Sequence, residues 1–204
     1  EAYGKIHFLK ENNDIKTIKL ESKHNAVFKL PFVLDSARFS NSCFPLYILP
    51  ATIGVWLIVK VPATSANLGP GFDTLGLSLS LYNRFEISPS IVQSIRIDGE
   101  GSDIPKLLKD NNFIKIFKDV YRELGGETRD FTFYLKNEIP VSRGLGSSSA
   151  VVIGAIISAY EMLKVPYTRD LILSKAIKYE KHPDNITPAV NGGFNIAMIK
   201  NSKV

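Results

Sequence analysis

The chain has 204 residues, of which 45% are hydrophobic and 22% charged, and this globular composition excludes a protein that is disordered throughout. Its formal net charge of +5 is small and dispersed, so it predicts no nucleic-acid partner and favours an anionic small molecule. The single cysteine, Cys43, excludes a disulfide framework and a thiolate zinc site, and it predicts a reducing compartment, with a cytoplasmic location as the expectation.

The N-terminal quarter, residues 1–56, shows weak strand alternation and no recognisable chemistry, so it is predicted to be an extension of unknown origin. Residues 39–59 carry no charge, and about 20 apolar residues are enough to cross a bilayer. Because Pro45, Pro50 and Gly54 interrupt this run, a membrane span is the less favoured alternative, and no membrane partner is expected.

The globular domain is predicted to span residues 57–204, and its first part is rich in strands. The predicted strands cover residues 56–61, 79–87 and 94–97. We expect Pro62 to end the first strand, and Ser88-Pro89-Ser90 to separate the other two.

Helical periodicity begins after Asn111, which with Asp110 is one of two candidate N-caps, and Gly125-Gly126 should end this helix. The later predicted elements are a strand at 131–136, a long apolar helix at 147–163, a helix from Thr168 to about Lys181 and a strand at 194–199. Strands grouped before and between helices indicate an α+β fold.

The most informative segment is PVSRGLGSSSA, residues 140–150, between a predicted strand and the long helix. Gly144 and Gly146 allow exposed backbone N–H groups, and the helix start adds partial positive charge, so an anion such as phosphate could bind here. The loop is not a Walker A motif, because no Lys follows the last glycine, and Ser149 breaks the GxGxxG pattern. A helix cap without a ligand is the alternative, although a serine hydroxyl could instead reach Mg²⁺.

A second segment, residues 61–73, is a strand end followed by a turn-rich loop of small side chains. Asn67 and Asp73 offer an amide and a carboxylate, which suit an ammonium group or a hydroxyl. The alternative is structural, with Asn67 in a left-handed turn and Asp73 as a cap.

A third segment, Glu180 to Pro188, clusters polar side chains where a helix is expected to stop before Pro183. Two carboxylates with His182 and Asn185 could supply a Mg²⁺ ligand and hydrogen bonds to a polar substrate. Taken alone, His182 is more often a partly exposed residue at a helix end.

Taken in order, PATSANLGPGFDTLGLSLSLYNRF, PVSRGLGSSSA and HPDNITPAVNGGF resemble the homoserine kinases of the GHMP kinase superfamily. The glycine-serine loop is shared by the whole superfamily, whereas SANLGPGFD and HPDN single out homoserine kinases. The resemblance covers about residues 57–204. It implies an N-terminal ATP-binding lobe similar to ribosomal protein S5 domain 2, truncated at its C-terminal end, with the ferredoxin-like C-terminal lobe absent.

The activity that this resemblance implies is transfer of the γ-phosphate of ATP to the side-chain hydroxyl of L-homoserine, giving O-phospho-L-homoserine in threonine biosynthesis. ATP and Mg²⁺ are the implied cofactors, and Ser148 and Glu180 the implied metal ligands. The implied nucleotide-binding residues are Pro140, Val141, Ser142, Arg143, Gly144, Leu145, Gly146, Ser147, Ser148, Ser149 and Ala150. The implied substrate-binding residues are Asn67, Asp73, His182 and Asn185, and the implied catalytic residues are His182, Asp184 and Asn185.

Three alternatives stay open at this point. One is a GHMP kinase for another alcohol, such as mevalonate or a sugar, against which the strings around Asn67 and His182 argue. Another is a catalytically inactive nucleotide-binding fragment, because the second lobe is expected to be missing. Apolar surface left by that lobe would favour self-association, so a homodimer is a further alternative to a monomer.

Overall fold

The computed structural model describes residues 5–11, 14–21, 47–49 and 56–198, the first three ranges by their backbone alone. The chain divides into two compact units, Glu1–Ser42 and Cys43–Val204. In the first unit, strands β1 (Lys5–Glu11) and β2 (Asp14–Glu21) form an antiparallel pair.

The second unit contains a six-stranded mixed sheet. Its strands are β3 (Tyr47–Leu49), β4 (Leu57–Ala66), β5 (Leu75–Ser90), β6 (Ser94–Gly99), β7 (Asp130–Asn137) and β8 (Phe194–Ile196). They are ordered β3-β4-β5-β7-β6, and β8 also pairs with β5. β6 runs parallel to β7, whereas the other described pairs are antiparallel. Because β3 precedes residue 57, the sheet begins earlier in the chain than the predicted domain, and that domain assignment stays a prediction.

Within residues 56–198, five helices accompany the sheet. They are α1 (Pro105–Lys109), α2 (Asn112–Glu123), α3 (Ser147–Leu163), α4 (Arg169–Ala176) and α5 (Pro183–Asn191). α3 packs against β4 and β5, with α2, α4 and α5 beside it. The architecture is therefore a mixed α+β fold, as predicted from the order of the elements.

The core lies between the inner face of the sheet and α3. Phe85 on β5 and Phe113 on α2 stack with ring centroids 4.5 Å apart, and both are fully buried. A Cβ on Gly154 would lie 2.3 Å from the Phe85 ring, so the small residue lets α3 approach the sheet closely. The long apolar helix predicted at 147–163 is thus present and packs closely against the sheet.

Two predicted strand boundaries are wrong, and in both cases the chain accommodates a proline. β4 continues through Pro62 to Ala66, with a register shift between Pro62 and Ala63. β5 continues through Pro89, which pairs with Phe131 of β7. Pro89 lies beyond Ile87, the last β5 residue that pairs with β4. Proline is tolerated at irregular pairings and along a strand edge, where its missing N–H leaves no ladder bond unmade.

The other differences concern the start of β5, which lies four residues before the predicted start at residue 79, the helices and the last strand. The helix capped by Thr168 ends at Ala176 rather than near Lys181, and β8 ends at Ile196, three residues before the predicted end. Pro183 starts α5 rather than ending a helix, since proline is favoured in a first helical turn. Among the described residues, no helix is long and apolar enough to cross a membrane, while most of the uncharged run 39–59 lies outside them.

Candidate active site

The glycine loop lies between β7 and α3, as the sequence predicts. Gly144 and Gly146 have φ values of +70° and +67°, and Ser142 also adopts a positive φ of 58°. Gly146 directly precedes α3, and within residues 56–198 no side chain caps the first turn of that helix. The first turn therefore offers backbone N–H groups and the positive end of the helix dipole to an anion.

The three serines after the loop have different environments. Ser148 is exposed, Ser147 is half-buried and Ser149 is 2% exposed within the core. Only a hydroxyl that reaches the surface of the loop can contact a ligand there, so Ser148 is better placed than Ser149.

A buried threonine joins the glycine loop to two other elements. The backbone N–H of Thr64 on β4 donates to the carbonyl oxygen of Leu145, with an N···O distance of 3.1 Å. Its hydroxyl donates to Oδ1 of Asn185 on α5, 2.8 Å away. A Cβ on Gly146 would lie 1.9 Å from that hydroxyl and 3.2 Å from Asn185 Oδ1, so only glycine permits this approach. The loop, the end of β4 and the start of α5 thus meet at one point.

The turn-rich loop after β4 is shaped by Asn67. Oδ1 of Asn67 accepts a hydrogen bond of 2.8 Å from the backbone N–H of Asp73, and both residues have positive φ values. The structural role considered for Asn67 is therefore present, and its amide nitrogen is the part left to face a ligand. The same turn presents the Asp73 carboxylate to solvent.

Three titratable side chains from distant parts of the sequence come together beside this loop. Nδ1 of His182 lies 3.5 Å from Oδ1 of Asp73. One potential ligand atom each from Asp73, His182 and Asp184 lies within 4.8 Å of the others. Such a group could hold a cation or the ammonium group of a small molecule.

Asp184 is the buried member of this group. It is 1% exposed, and its Oδ1 atom has no hydrogen-bond partner among the described residues. Burial raises the pKa of its carboxyl above the usual range, and the negative charge of Asp73 raises it further, while His182 and nearby backbone N–H groups oppose the shift. A buried, unpartnered acceptor costs folding free energy, so it is better explained by a ligand than by stability.

Close contact between β5 and α5 holds Asp184 in place. Pro188 has no N–H group, so the carbonyl oxygen of Asp184 cannot receive the usual helical hydrogen bond from it. A Cβ on Gly76 would lie 1.9 Å from that oxygen and 2.9 Å from the Pro188 ring. Glycine in a strand often marks such an approach, but the predicted strand began at residue 79, so the sequence carried no such signal for Gly76.

The implied metal ligands, Ser148 and Glu180, are not joined by any contact in the described part of the chain. Glu180 lies between α4 and α5, and its Oε1 accepts a hydrogen bond of 3.4 Å from the backbone N–H of His182. The role of Ser148 and Glu180 as metal ligands stays a prediction.

Thr64 lies within the second segment, but the sequence does not single it out, because a threonine in a strand carries no chemical signal of its own.

Part of the chain matches a known protein family. Residues 111–193 match the family model described as the GHMP kinases N terminal domain, a span that includes the glycine loop and α5.

Several curated relatives and two of the similar solved structures are homoserine kinases by name, whereas other similar structures are named as mevalonate or sugar kinases. The homoserine kinase of Helicobacter hepaticus is 56% identical over 146 residues, which are 72% of this chain and 49% of that protein. The homoserine kinase of Campylobacter concisus is 55% identical over 146 residues, 72% of this chain and 50% of that protein. The crystal structure of homoserine kinase from Cytophaga hutchinsonii has 25% identity and a TM-score of 0.60, covering 75% of this chain and 51% of the other. The chain thus spans about half the length of the curated relatives it matches.

Proposed function

Because the chain contains a GHMP kinase N-terminal domain and is a relative of homoserine kinases, we propose that its protein transfers the γ-phosphoryl group of ATP to L-homoserine. The side-chain hydroxyl oxygen gains the phosphoryl group and loses its proton, and the products are O-phospho-L-homoserine and ADP. The proposed place of this reaction is threonine biosynthesis.

One observation carries the proposal: the contact of Gly146 with Thr64 and Asn185. It brings an uncapped helix start, suited to phosphates, next to the HPDN segment, suited to a polar substrate. Phosphoryl transfer depends mostly on positioning and on neutralising charge, and such a junction supplies positioning.

ATP fits the loop because Gly144 has no atom within 4 Å of a Cβ built on it, which leaves the outer side of the loop open. Residues 140–150 would hold the phosphates through backbone N–H groups, and the nucleotide would supply the transferred group. We assign Mg²⁺ to the exposed hydroxyl of Ser148 and the carboxylate of Glu180. The metal would neutralise phosphate charge.

The substrate subsite in this proposal consists of Asn67, Asp73, His182 and Asp184. Its carboxylates suit the ammonium group of an amino acid, and the unpartnered Oδ1 of Asp184 offers a buried acceptor. Asn185 and Asp184 would lie near the reacting hydroxyl, with Asp184 as a contributor to proton removal rather than an obligatory base.

The proposal also concerns the half of the relatives that this chain does not span. The S5-like N-terminal lobe would be completed by a ferredoxin-like lobe that adds the remaining substrate contacts. A homodimer and a cytoplasmic location stay predictions from the sequence.

The test is an assay of the purified chain, and of a chain extended through the second lobe, with Mg-ATP and L-homoserine. We expect mass spectrometry to detect O-phosphohomoserine with the extended chain, and no product with mevalonate in its place. Phosphomevalonate, or no product from a folded extended chain that binds ATP, would contradict the proposed substrate.

A further inference from the structure

Thr64 connects the two parts of the proposed site, although its own side chain faces neither solvent nor the exposed side of the glycine loop. It is fully buried on β4. Its N–H donates to Leu145 in the loop, and its hydroxyl donates to Asn185 on α5. One residue therefore holds both segments through two different donors.

The side-chain bond also fixes the orientation of the Asn185 amide. An amide group has an acceptor oxygen and a donor nitrogen on the same carbon, and the bond to Thr64 uses the oxygen. The nitrogen is then directed away from Thr64 and Gly146. Because a β-branched threonine has few χ1 rotamers, its hydroxyl is a rigid reference for that orientation.

We propose that Thr64 is a positioning residue, which sets the Asn185 amide with its oxygen toward the glycine loop and its N–H groups available to the reacting centre. The functional effect of Thr64 rests on the proposed function, in which Thr64 links nucleotide binding at the loop to the segment that carries His182 and Asp184. Thr64 acts through Asn185 and touches neither nucleotide nor substrate.

The relevant comparison is Thr64→Val against Thr64→Ser. Valine keeps the branched shape and removes the hydroxyl, whereas serine keeps the hydroxyl and removes a methyl group. A role in packing alone would make the valine variant the milder one, because valine keeps the branched shape of threonine. A positioning role makes the serine variant the milder one.

The first measurement is a spectroscopic signature of the amide in the 204-residue chain. The side-chain amide resonance of Asn185 in a ¹⁵N–¹H spectrum is assigned by its loss in Asn185→Asp. We expect it to shift in Thr64→Val, because its carbonyl loses a hydrogen bond, and to stay in place in Thr64→Ser. An unchanged resonance in a folded Thr64→Val chain would overturn the proposal.

The second measurement is Mg-ADP affinity by calorimetry. We expect Thr64→Val to weaken binding about five- to tenfold, the scale of one lost hydrogen bond, and Thr64→Ser to change it less than about twofold. Equal affinities in the two variants would overturn the link to the nucleotide.

The two failures can be told apart. If the unaltered chain binds no Mg-ADP, the proposed nucleotide site fails in this chain, while the amide resonance still decides the role of Thr64. If the chain binds Mg-ADP and the resonance does not respond to the valine substitution, the proposed function survives and the positioning role does not.

Discussion

At the scale of single residues, Asp184 is a group whose burial weakens the fold. Its carboxyl is buried, one oxygen has no hydrogen-bond partner within residues 56–198, and Asp73 adds negative charge nearby. Carboxyl groups whose pKa is raised by burial and by a neighbouring negative charge are often found at functional sites. The cost to stability should therefore be measurable separately from any activity.

We expect Asp184→Asn to raise the free energy of unfolding at pH 7 by roughly 1 kcal/mol, because a neutral amide is cheaper to bury than a carboxylate. Since the folded-state pKa of Asp184 is raised, the native chain binds the proton more tightly than the unfolded chain. The contribution of the Asp184 carboxyl to the free energy of unfolding is therefore present at low pH and is lost as the pH rises through its folded-state pKa.

Urea unfolding between pH 4 and pH 7 checks this expectation. The gain from Asp184→Asn should grow with pH, whereas Asp103→Asn, which alters an exposed carboxylate, should show no such trend. A constant difference across this range would contradict the assigned cause.

The sequence predicted the polar residues of the site because their side chains have functional groups suited to ligands. It did not predict Thr64 and Gly76, whose importance comes from distances to residues far along the chain. The close approaches at Asn185 and at the Asp184 carbonyl are properties of tertiary packing, which local spacing does not encode. The chemical roles of Asp73, His182 and Asn185 stay predictions.

At the scale of elements, the two loop glycines differ in a way that a matched pair of variants can measure. Both require a positive φ, which costs an alanine about 1–2 kcal/mol. Only Gly146 also faces a collision, with the Thr64 hydroxyl. We expect Gly144→Ala to cost about 1–2 kcal/mol, and Gly146→Ala to cost a further 1–3 kcal/mol from overpacking.

Chemical denaturation of the two variants measures that difference. Calorimetry with Mg-ADP should show weaker binding in Gly146→Ala, because the start of α3 must shift. Equal losses of unfolding free energy in the two variants would mean that the loop shifts enough to avoid a clash between the new methyl group and the Thr64 hydroxyl, and would contradict the prediction.

The start of α2 provides an independent element-scale prediction. Oδ1 of Asn111 accepts hydrogen bonds from the N–H groups of Phe113 and Ile114, at 2.9 and 3.4 Å. We expect Asn111→Ala to lower the free energy of unfolding by about 1 kcal/mol, as for other lost N-caps. Thermal unfolding should show almost no change for the neighbouring exposed Asn112→Ala, and similar losses in both variants would contradict the capping role.

The helices with regular apolar spacing were predictable because their periodicity records which face is buried. α2 follows that rule, and the Asn111 cap and the glycines after α2 mark the ends of that helix, whereas α3 is apolar and buried almost all round. Three of the errors fell at prolines. Pro62, Pro89 and Pro183 were taken as stops, yet each occupies a position where a missing N–H is harmless, and that depends on pairing partners a single sequence does not reveal.

At the scale of the whole molecule, an apolar surface lies near the candidate site. Phe72, Phe194, Ile196 and Met198 are 76%, 58%, 73% and 71% exposed. β8 pairs with β5 at Leu75–Leu77, so these side chains share one region of the sheet unit. We expect the isolated chain to self-associate through this surface.

Light scattering at increasing concentration tests that expectation. The double variant Phe194→Ser with Ile196→Ser should reduce the apparent mass. Ile91→Ser, at the distant turn between β5 and β6, should not, although its side chain is 96% exposed. A monodisperse monomer of the unaltered chain would contradict the prediction.

The hydrogen bond between Thr64 and Asn185 joins residues that are 121 positions apart. During synthesis at about 5–20 residues per second, the second partner is added roughly 6–24 s after the first. Closing so long a loop costs conformational entropy before the contact can contribute any stabilisation, so this junction should form late in folding. A nascent chain that has not yet reached α5 therefore has no complete candidate site, and a ligand of that site cannot assist its folding until synthesis has passed that helix.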